Sequence, residues 1–259
     1  MENSIRNLLA GKRGLVVGIA NEHSIAYGCA RVLRELGAEL AVTYLNEKAE
    51  KYVRPLAEGL DASLILPMNV EAPGQMQAVF DTLRDTWGTL DFVIHSIAYC
   101  PMDDLHGRVV DCSETGFAQA MRVSCYSFIE LAHHAEPLMT EGGALVTMSY
   151  HGAEKVVENY NIMGPVKAAL ESVTRYMAYE LGSKGIRVHA VSPGPLKTRA
   201  ASGIAHFDQL IDAAIARAPE HRLVDIRDVG MATAFLVSDA SRAITGEVIY
   251  VDGGFHIMA

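Results

Sequence analysis

The chain has 259 residues, half of them hydrophobic, with 22 basic against 31 acidic side chains and a formal net charge of -9. Such a length and composition fit one α/β domain, and the acidic balance argues against a nucleic-acid-binding protein. No apolar run reaches the roughly eighteen residues of a membrane span, and Met1-Glu2-Asn3-Ser4-Ile5-Arg6 lacks the apolar core of a signal peptide, so a cytoplasmic protein with no membrane partner is expected.

In chain order, Gly14-Leu15-Val16-Val17-Gly18 reads as a first buried strand. Ser24 to Leu36 reads as a helix ended by Gly37, and Glu39 to Tyr44 as a second strand. Ser63 to Pro67 is the third strand. A helical stretch around Met76 to Trp87 precedes the fourth, Leu90 to His95. Ala144 to Met148, Arg187 to Val191 and Glu247 to Val251 complete the set. Continuous Val/Ile/Leu runs mark strands buried on both faces of a parallel sheet. Regular βα alternation implies right-handed crossovers. The prediction is a single-domain, Rossmann-like, doubly wound α/β fold over residues 1–259, a mostly seven-stranded parallel sheet with helices on both faces.

Ligands of such a sheet bind beyond the carboxyl ends of its strands. The candidates are Gly18-Ile19-Ala20, Tyr44-Leu45-Asn46, Asn69-Val70, Ser96-Ile97-Ala98, Ser149-Tyr150 and Ser192-Pro193-Gly194. The turn after the first strand, Gly18 to Gly28, is not a GxGxxG fingerprint. Small residues still recur, at Gly18, Ala20, Ser24 and Gly28, where a backbone must approach a pyrophosphate. The Ser24 hydroxyl either caps the helix that begins there or meets a phosphate. At the second strand tip, neither Leu45 nor Asn46 is an acid for the adenosine ribose, and no basic pair invites a 2′-phosphate. NADH is therefore preferred over NADPH, with Lys48 as the one basic residue close by.

Tyr150 and Tyr160 stand ten residues apart, and Lys167 follows seven after the second. A tyrosine has a pKa of roughly 10, and a nearby ammonium would bring it toward the working range. Seven residues make about two helical turns, so Tyr160 and Lys167 can share a face about 10 Å apart. Pro165 is tolerated only in the first turn of a helix. The helix carrying Lys167 is thus predicted to begin near Ile162 or later, with Tyr160 at its mouth.

Gly18 with Ser24-Ile25-Ala26-Tyr27-Gly28, His95-Ser96-Ile97-Ala98, Tyr150 with Tyr160 and Lys167, Ser192-Pro193-Gly194-Pro195-Leu196-Lys197-Thr198 and Val251-Asp252-Gly253-Gly254 occur in that order. This set resembles the bacterial NADH-dependent enoyl-acyl-carrier-protein reductases, a divergent branch of the short-chain dehydrogenase/reductases. The likeness covers nearly the whole chain. Its specific part is Tyr-x6-Lys, where ordinary members of the superfamily have Tyr-x3-Lys.

The resemblance implies roles by position. Gly18, Ala20, Ser24, Ile25, Leu45, Ser96, Ile97 and Ala98 would line NADH, and Asn69-Val70 would flank its adenine. Lys167 would hold the nicotinamide ribose. Leu196, Lys197, Thr198, Arg199 and Ala200 would close over the nicotinamide, within a substrate-binding loop region of about 195–220. Cys100 would border the acyl thioester, and Tyr160 would face its carbonyl with Tyr150 as second tyrosine. Met163 and Phe207 are candidate walls of an acyl channel. The implied partner is an acyl carrier protein or CoA thioester, and the implied assembly a homotetramer. The implied reaction is reduction of the 2,3 double bond of a 2-enoyl thioester in fatty acid biosynthesis.

One departure bears on the carrier. Ala205-His206-Phe207-Asp208-Gln209 has no Lys or Arg where the family often has a basic docking cluster. Lys197, Arg199 and Arg217 could supply charge nearby. An enoyl-CoA reductase, a short-chain carbonyl or alcohol dehydrogenase, and a nucleotide-binding regulator without turnover are the competing readings. Tyr-x6-Lys opposes the dehydrogenase, and the pairing of Tyr160 with Lys167 opposes the regulator. Cys29, Cys100, Cys112 and Cys125 form no CxxC pair and read as reduced thiols. The ten histidines show no HExxH spacing, so no metal site is expected. Trp87 reads as packing, and His95 as structural.

Overall fold

The computed structural model describes residues 7–198 and 207–258, Phe207 by its backbone only. Seven strands, β1 (Arg13–Val17), β2 (Glu39–Tyr44), β3 (Leu64–Pro67), β4 (Phe92–His95), β5 (Gly143–Met148), β6 (Ile186–Pro193) and β7 (Val248–Val251), form one sheet. Its order is β3-β2-β1-β4-β5-β6-β7, and every pairing is parallel. The helices are α1 (Ile25–Glu35), α2 (Glu47–Gly59), α3 (Gln75–Trp87), α4 (Met102–His106), α5 (Glu114–Met121), α6 (Ser127–Ala135), α7 (Met163–Leu181), α8 (Phe207–Arg217) and α9 (Ile226–Val237).

Successive strand residues point to opposite faces, and each face finds its own helices. Val16, Leu40, Val42, Ile94 and Val146 pack with buried residues of α1, α2 and α9. Leu15, Val17, Ala41, Val93 and Leu145 pack with α3, α6 and α7. The doubly wound prediction holds on both faces. Gly14 is bare because the fully buried Phe92 ring occupies its side-chain space, where a β-carbon would stand 1.8 Å from Phe92 Cε2.

Two strand ends differ from expectation. β1 stops at Val17, and Gly18 turns out of it with φ +114°, close enough to β4 that a β-carbon would stand 2.1 Å from Ser96 O. β6 runs on to Pro193 because Ser192 and Pro193 still pair with Tyr250 and Val251 of β7. Those two residues are therefore strand, not the loop after it.

The sheet winds away in opposite directions from β1 and β4, and the crevice of a doubly wound fold opens at that reversal, beyond the carboxyl ends. At the opposite edge, Trp87 ends α3. Its indole N–H donates to Glu39 Oε1 at 3.1 Å, and the Arg13 guanidinium lies 5.9 Å over its ring. Among the described residues no helix is long and apolar enough to cross a membrane.

Candidate active site

The turn from β1 into α1 is held by one hydroxyl. Ser24 Oγ accepts from Ala20 N and Asn21 N, both at 3.0 Å, and donates to Asn21 Oδ1 at 3.2 Å. Of the two roles expected of Ser24, the cap is not made: its hydroxyl puts no side-chain hydrogen bond on α1, since it is turned back onto its own loop. The first acceptor in α1 is Ser24 O, taken by Tyr27 N and Gly28 N. Among the described residues that leaves the Ile25 and Ala26 N–H groups at the positive end of the helix as open donors, the donor set that suits a pyrophosphate.

Gly28 serves a different purpose from the one expected. A β-carbon there would stand 2.4 Å from Ile226 O, and one at Gly230 would stand 2.7 Å from Gly28 O. These glycines let α1 and α9 touch backbone to backbone; Gly28 does not face the turn.

At the β2 tip, Leu45 is exposed, while Asn46 caps α2 by accepting from Ala49 N at 3.0 Å. Asn69 Oδ1 accepts from Glu71 N at 2.9 Å, and Val70 is buried with its carbonyl taking an Arg122 N–H at 2.7 Å. Beyond β4, the Tyr99 peptide is clamped by Ser124, whose hydroxyl accepts from Tyr99 N at 2.9 Å and donates to Tyr99 O at 3.1 Å. Ser124 sits in a π-helical turn, Arg122–Tyr126, between α5 and α6. Such single turns are frequent at functional sites. The clamp fixes the loop that carries Ser96, Ile97, Ala98 and Cys100.

α7 begins at Met163, so Pro165 falls in its first turn and Tyr160 lies just before its mouth, as predicted. Tyr160 is flanked by Asn159 and Asn161, both left-handed at φ +64° and +45°. Asparagine tolerates that region better than most residues. Asn161 Nδ2 also donates to Leu105 O at 2.7 Å, tying the loop to α4. Cys100, Leu105, Ala120, Tyr160, Ile162, Met163 and Val166 form one buried apolar cluster, with Tyr150 packed against it. The Tyr150 and Tyr160 rings meet edge to face at 4.8 Å. The Tyr150 hydroxyl is buried without a hydrogen-bond partner among the described residues.

Lys167 is buried, and its Nζ donates to Met148 O at 2.7 Å. Burial lowers its pKa to about 8, while the charges of Cys125 and Glu171 oppose that fall. The expectation of a softened phenol is overturned. Burial pushes Tyr150 and Tyr160 well above the usual tyrosine value, and the charges acting on Tyr160, those of Tyr150 and Glu171, push the same way. Both phenols stay neutral O–H donors, fit to stabilise an oxyanion but not to act as phenolate bases.

His95 is structural, as expected: it is fully buried and bonded to Thr147 Oγ1 at 2.7 Å and Ser127 Oγ at 2.8 Å. Leu196 is buried, whereas Lys197 is exposed and paired with Asp208 at 3.1 Å. Thr198 is half-buried. Arg199, Ala200 and the Phe207 side chain lie outside the described residues. Among the described residues no cluster of His, Cys, Asp or Glu could hold a metal ion. Sequence reasoning passed over Gly152, Asn161 and Glu171. Only the Asn-Tyr-Asn run carried a signal, since two asparagines around one tyrosine suggest left-handed backbone.

The residues fit a dinucleotide. Among the described residues, two open helix N–H donors, the narrow approach of Gly18 to the residue after β4, and a buried ammonium with one protein acceptor lie along the carboxyl edge.

Residues 18–256 match the family model described as enoyl-(acyl carrier protein) reductase. Enoyl-[acyl-carrier-protein] reductase [NADH] 2 of Rhizobium meliloti (strain 1021) is 45% identical over 98% of this chain and 94% of its own length. The Anaplasma phagocytophilum enoyl-acyl-carrier-protein reductase, solved with NAD, is 45% identical with a TM-score of 0.94, covering 97% of this chain and 96% of that one. The Bacillus cereus enoyl-acyl carrier protein reductase, solved with NADP+ and indole naphthyridinone, is 44% identical with a TM-score of 0.96, covering 98% of this chain and 99% of the other.

Proposed function

The chain belongs to the enoyl-(acyl carrier protein) reductase family, and from that membership we propose how its own residues carry the reaction. It is an NADH-dependent reductase of 2-enoyl thioesters in fatty acid biosynthesis. When bound, NADH supplies the hydride that adds to the β-carbon of the 2,3 double bond. Negative charge then gathers on the thioester oxygen. The Tyr160 hydroxyl donates to that oxygen, and one such donor typically lowers a barrier by about 3–4 kcal/mol. Tyr150 packs its ring against Tyr160 and keeps water from that side.

Lys167 holds the nicotinamide ribose with the ammonium donors that Met148 O leaves open. Ile25 and Ala26 N–H receive the pyrophosphate, while Gly18, Ala20, Ser24, Ser96, Ile97 and Ala98 line its path. Leu45, Asn69 and Val70 flank the adenosine, and Leu196 to Thr198 cover the nicotinamide. Cys100 and Met163 border the acyl chain. The observation that carries the site is the shared cluster of Cys100, Tyr160 and Met163 with the unpartnered Tyr150 hydroxyl beside it.

The natural carrier is acyl carrier protein, with docking charge supplied from outside Ala205–Gln209. The assembly is a homotetramer in the cytoplasm, where four free thiols suit a reducing compartment. Exposed Tyr126, Tyr176 and Tyr179, with Phe117 and Ile129, provide apolar surface for subunit contact. Light scattering on the purified protein reads the subunit number.

The decisive assay mixes protein, NADH and a 2-enoyl thioester and follows loss of NADH absorbance. Turnover is expected on the carrier-protein ester and more slowly on the CoA ester. Turnover of a ketone with neither thioester consumed would overturn the assignment.

A further inference from the structure

Lys167 and Glu171 lie one turn apart on α7, both buried, yet no ion pair joins them within 4.0 Å among the described residues. The Glu171 carboxylate is taken up by Ser149, whose hydroxyl donates to Oε1 at 2.5 Å. Ser149 is the residue after Met148, the acceptor of the Lys167 ammonium. Two parallel hydrogen bonds therefore stitch the end of β5 to one face of α7, one running in each direction. Ser149 is itself fixed, because its N–H donates to Val191 O at 2.7 Å.

An i,i+4 carboxylate and ammonium in a dry interior would ordinarily collapse onto each other. That contact would occupy the donors that a ribose needs. We propose that Ser149 and Glu171 form a positioning pair for Lys167: the serine hydroxyl holds the carboxylate within electrostatic reach of the ammonium but off it, so the lysine stays charged and its remaining donors stay open. The proposal rests on the reading of Lys167 as the ribose-holding residue.

The groups facing the two partners allow this role. Lys167 meets Cys125 of the π-helical turn and His95 of β4, a histidine that burial and the lysine's charge hold neutral. Glu171 faces Ser149 from β5, Glu154 from the following turn, Tyr160 from the loop before α7, Tyr250 from β7 and Arg175 on its own helix. It is the one carboxylate among the charges that raise Lys167, whose pKa burial has brought down to about 8. Loss of that carboxylate removes one of the charges that oppose the fall, and so lowers the lysine further.

The test uses the full-length protein and its Glu171→Gln, Glu171→Asp and Ser149→Ala variants. NADH binding and kcat/KM are measured from about pH 6 to pH 9.5, with Tm for each protein. Glu171→Gln is expected to move the alkaline limb of kcat/KM down by about one pH unit, and Glu171→Asp to restore it. Ser149→Ala frees the carboxylate to close on the ammonium. It is expected to raise KM for NADH about tenfold while moving the same limb upward. Limbs unmoved in both Glu171→Gln and Ser149→Ala, with only Tm lowered, would overturn the pair. Should Glu171→Gln fail to fold, the upward limb and raised KM of Ser149→Ala still decide. Lys167→Ala separates the premise: unchanged NADH affinity there refutes the lysine's role, whatever the pair does.

Discussion

The Tyr160 ring lies so close to Gly152 that a β-carbon at 152 would stand 2.5 Å from its Cδ1. The glycine is thus part of the tyrosine's seat, and the ring cannot hold its place over any larger residue. Gly152→Ala is expected to displace Tyr160 and cut kcat at least tenfold, with a stability loss of about 1–3 kcal/mol from overpacking. Steady-state kinetics beside urea unfolding check both. An alanine variant with full kcat would show that the ring position does not govern turnover.

Tyr160→Phe removes the donor while keeping the ring, its edge contact with Tyr150 and its burial. A fall in kcat of about 10²–10³ is expected, the usual loss for one oxyanion donor. KM for NADH should stay within about twofold, since the change is confined to the thioester oxygen. Tyr150→Phe should cost less. The opposite ranking in kcat would reassign the donor to Tyr150.

His95 predicts how stability varies with pH. Burial holds its folded pKa at about 3, against roughly 6.5 for an unfolded histidine. Between those values the unfolded chain binds a proton that the folded chain does not. Stability therefore declines as pH falls below about 6.5, by up to about 1.4 kcal/mol per pH unit. From pH 7 to pH 5 the loss through His95 is about 2 kcal/mol. His189, held at about 4 chiefly by burial, acts in the same direction. His95→Gln should flatten the slope by one proton's worth in urea unfolding across that range. Equal slopes for the two proteins would show that His95 does not set it.

Gly28→Ala separates packing from cofactor binding. A β-carbon there meets the Ile226 carbonyl, so α1 and α9 must move apart. The expected outcome is a loss of about 1–3 kcal/mol with NADH affinity changed less than threefold. A large loss of NADH affinity at unchanged Tm would return Gly28 to the cofactor turn.

Most of the fold was legible because the strands are built on short apolar runs, and those of the central strands β1, β4 and β5 are buried on both faces. The start of α7 was legible for a local reason: Pro165 can stand only in a first turn. Boundaries set by pairing were not. Ser192 and Pro193 belong to β6 only because β7 lies beside them, and nothing in the run itself announces that neighbour. The tyrosine pair was found by spacing, but the sign of its pKa shift was missed. Spacing reports which groups are near, whereas burial decides which charge survives. Glu171 was invisible because a glutamate in a helix ordinarily faces water. Its partner Ser149 is brought to it by the crossing of β5 and α7.

The seat of Trp87 has a practical consequence. It is the only tryptophan of the chain and is held between Arg13 and Glu39 at the amino edge of the sheet. Five residues of β1, at about 3.3 Å each, put roughly 17 Å of packed strand between that edge and the turn at Gly18. The indole thus stands at the opposite end of the sheet from the crevice. Its emission colour is a built-in gauge of whether the sheet is assembled, readable during a titration without reporting on contacts made at the far end.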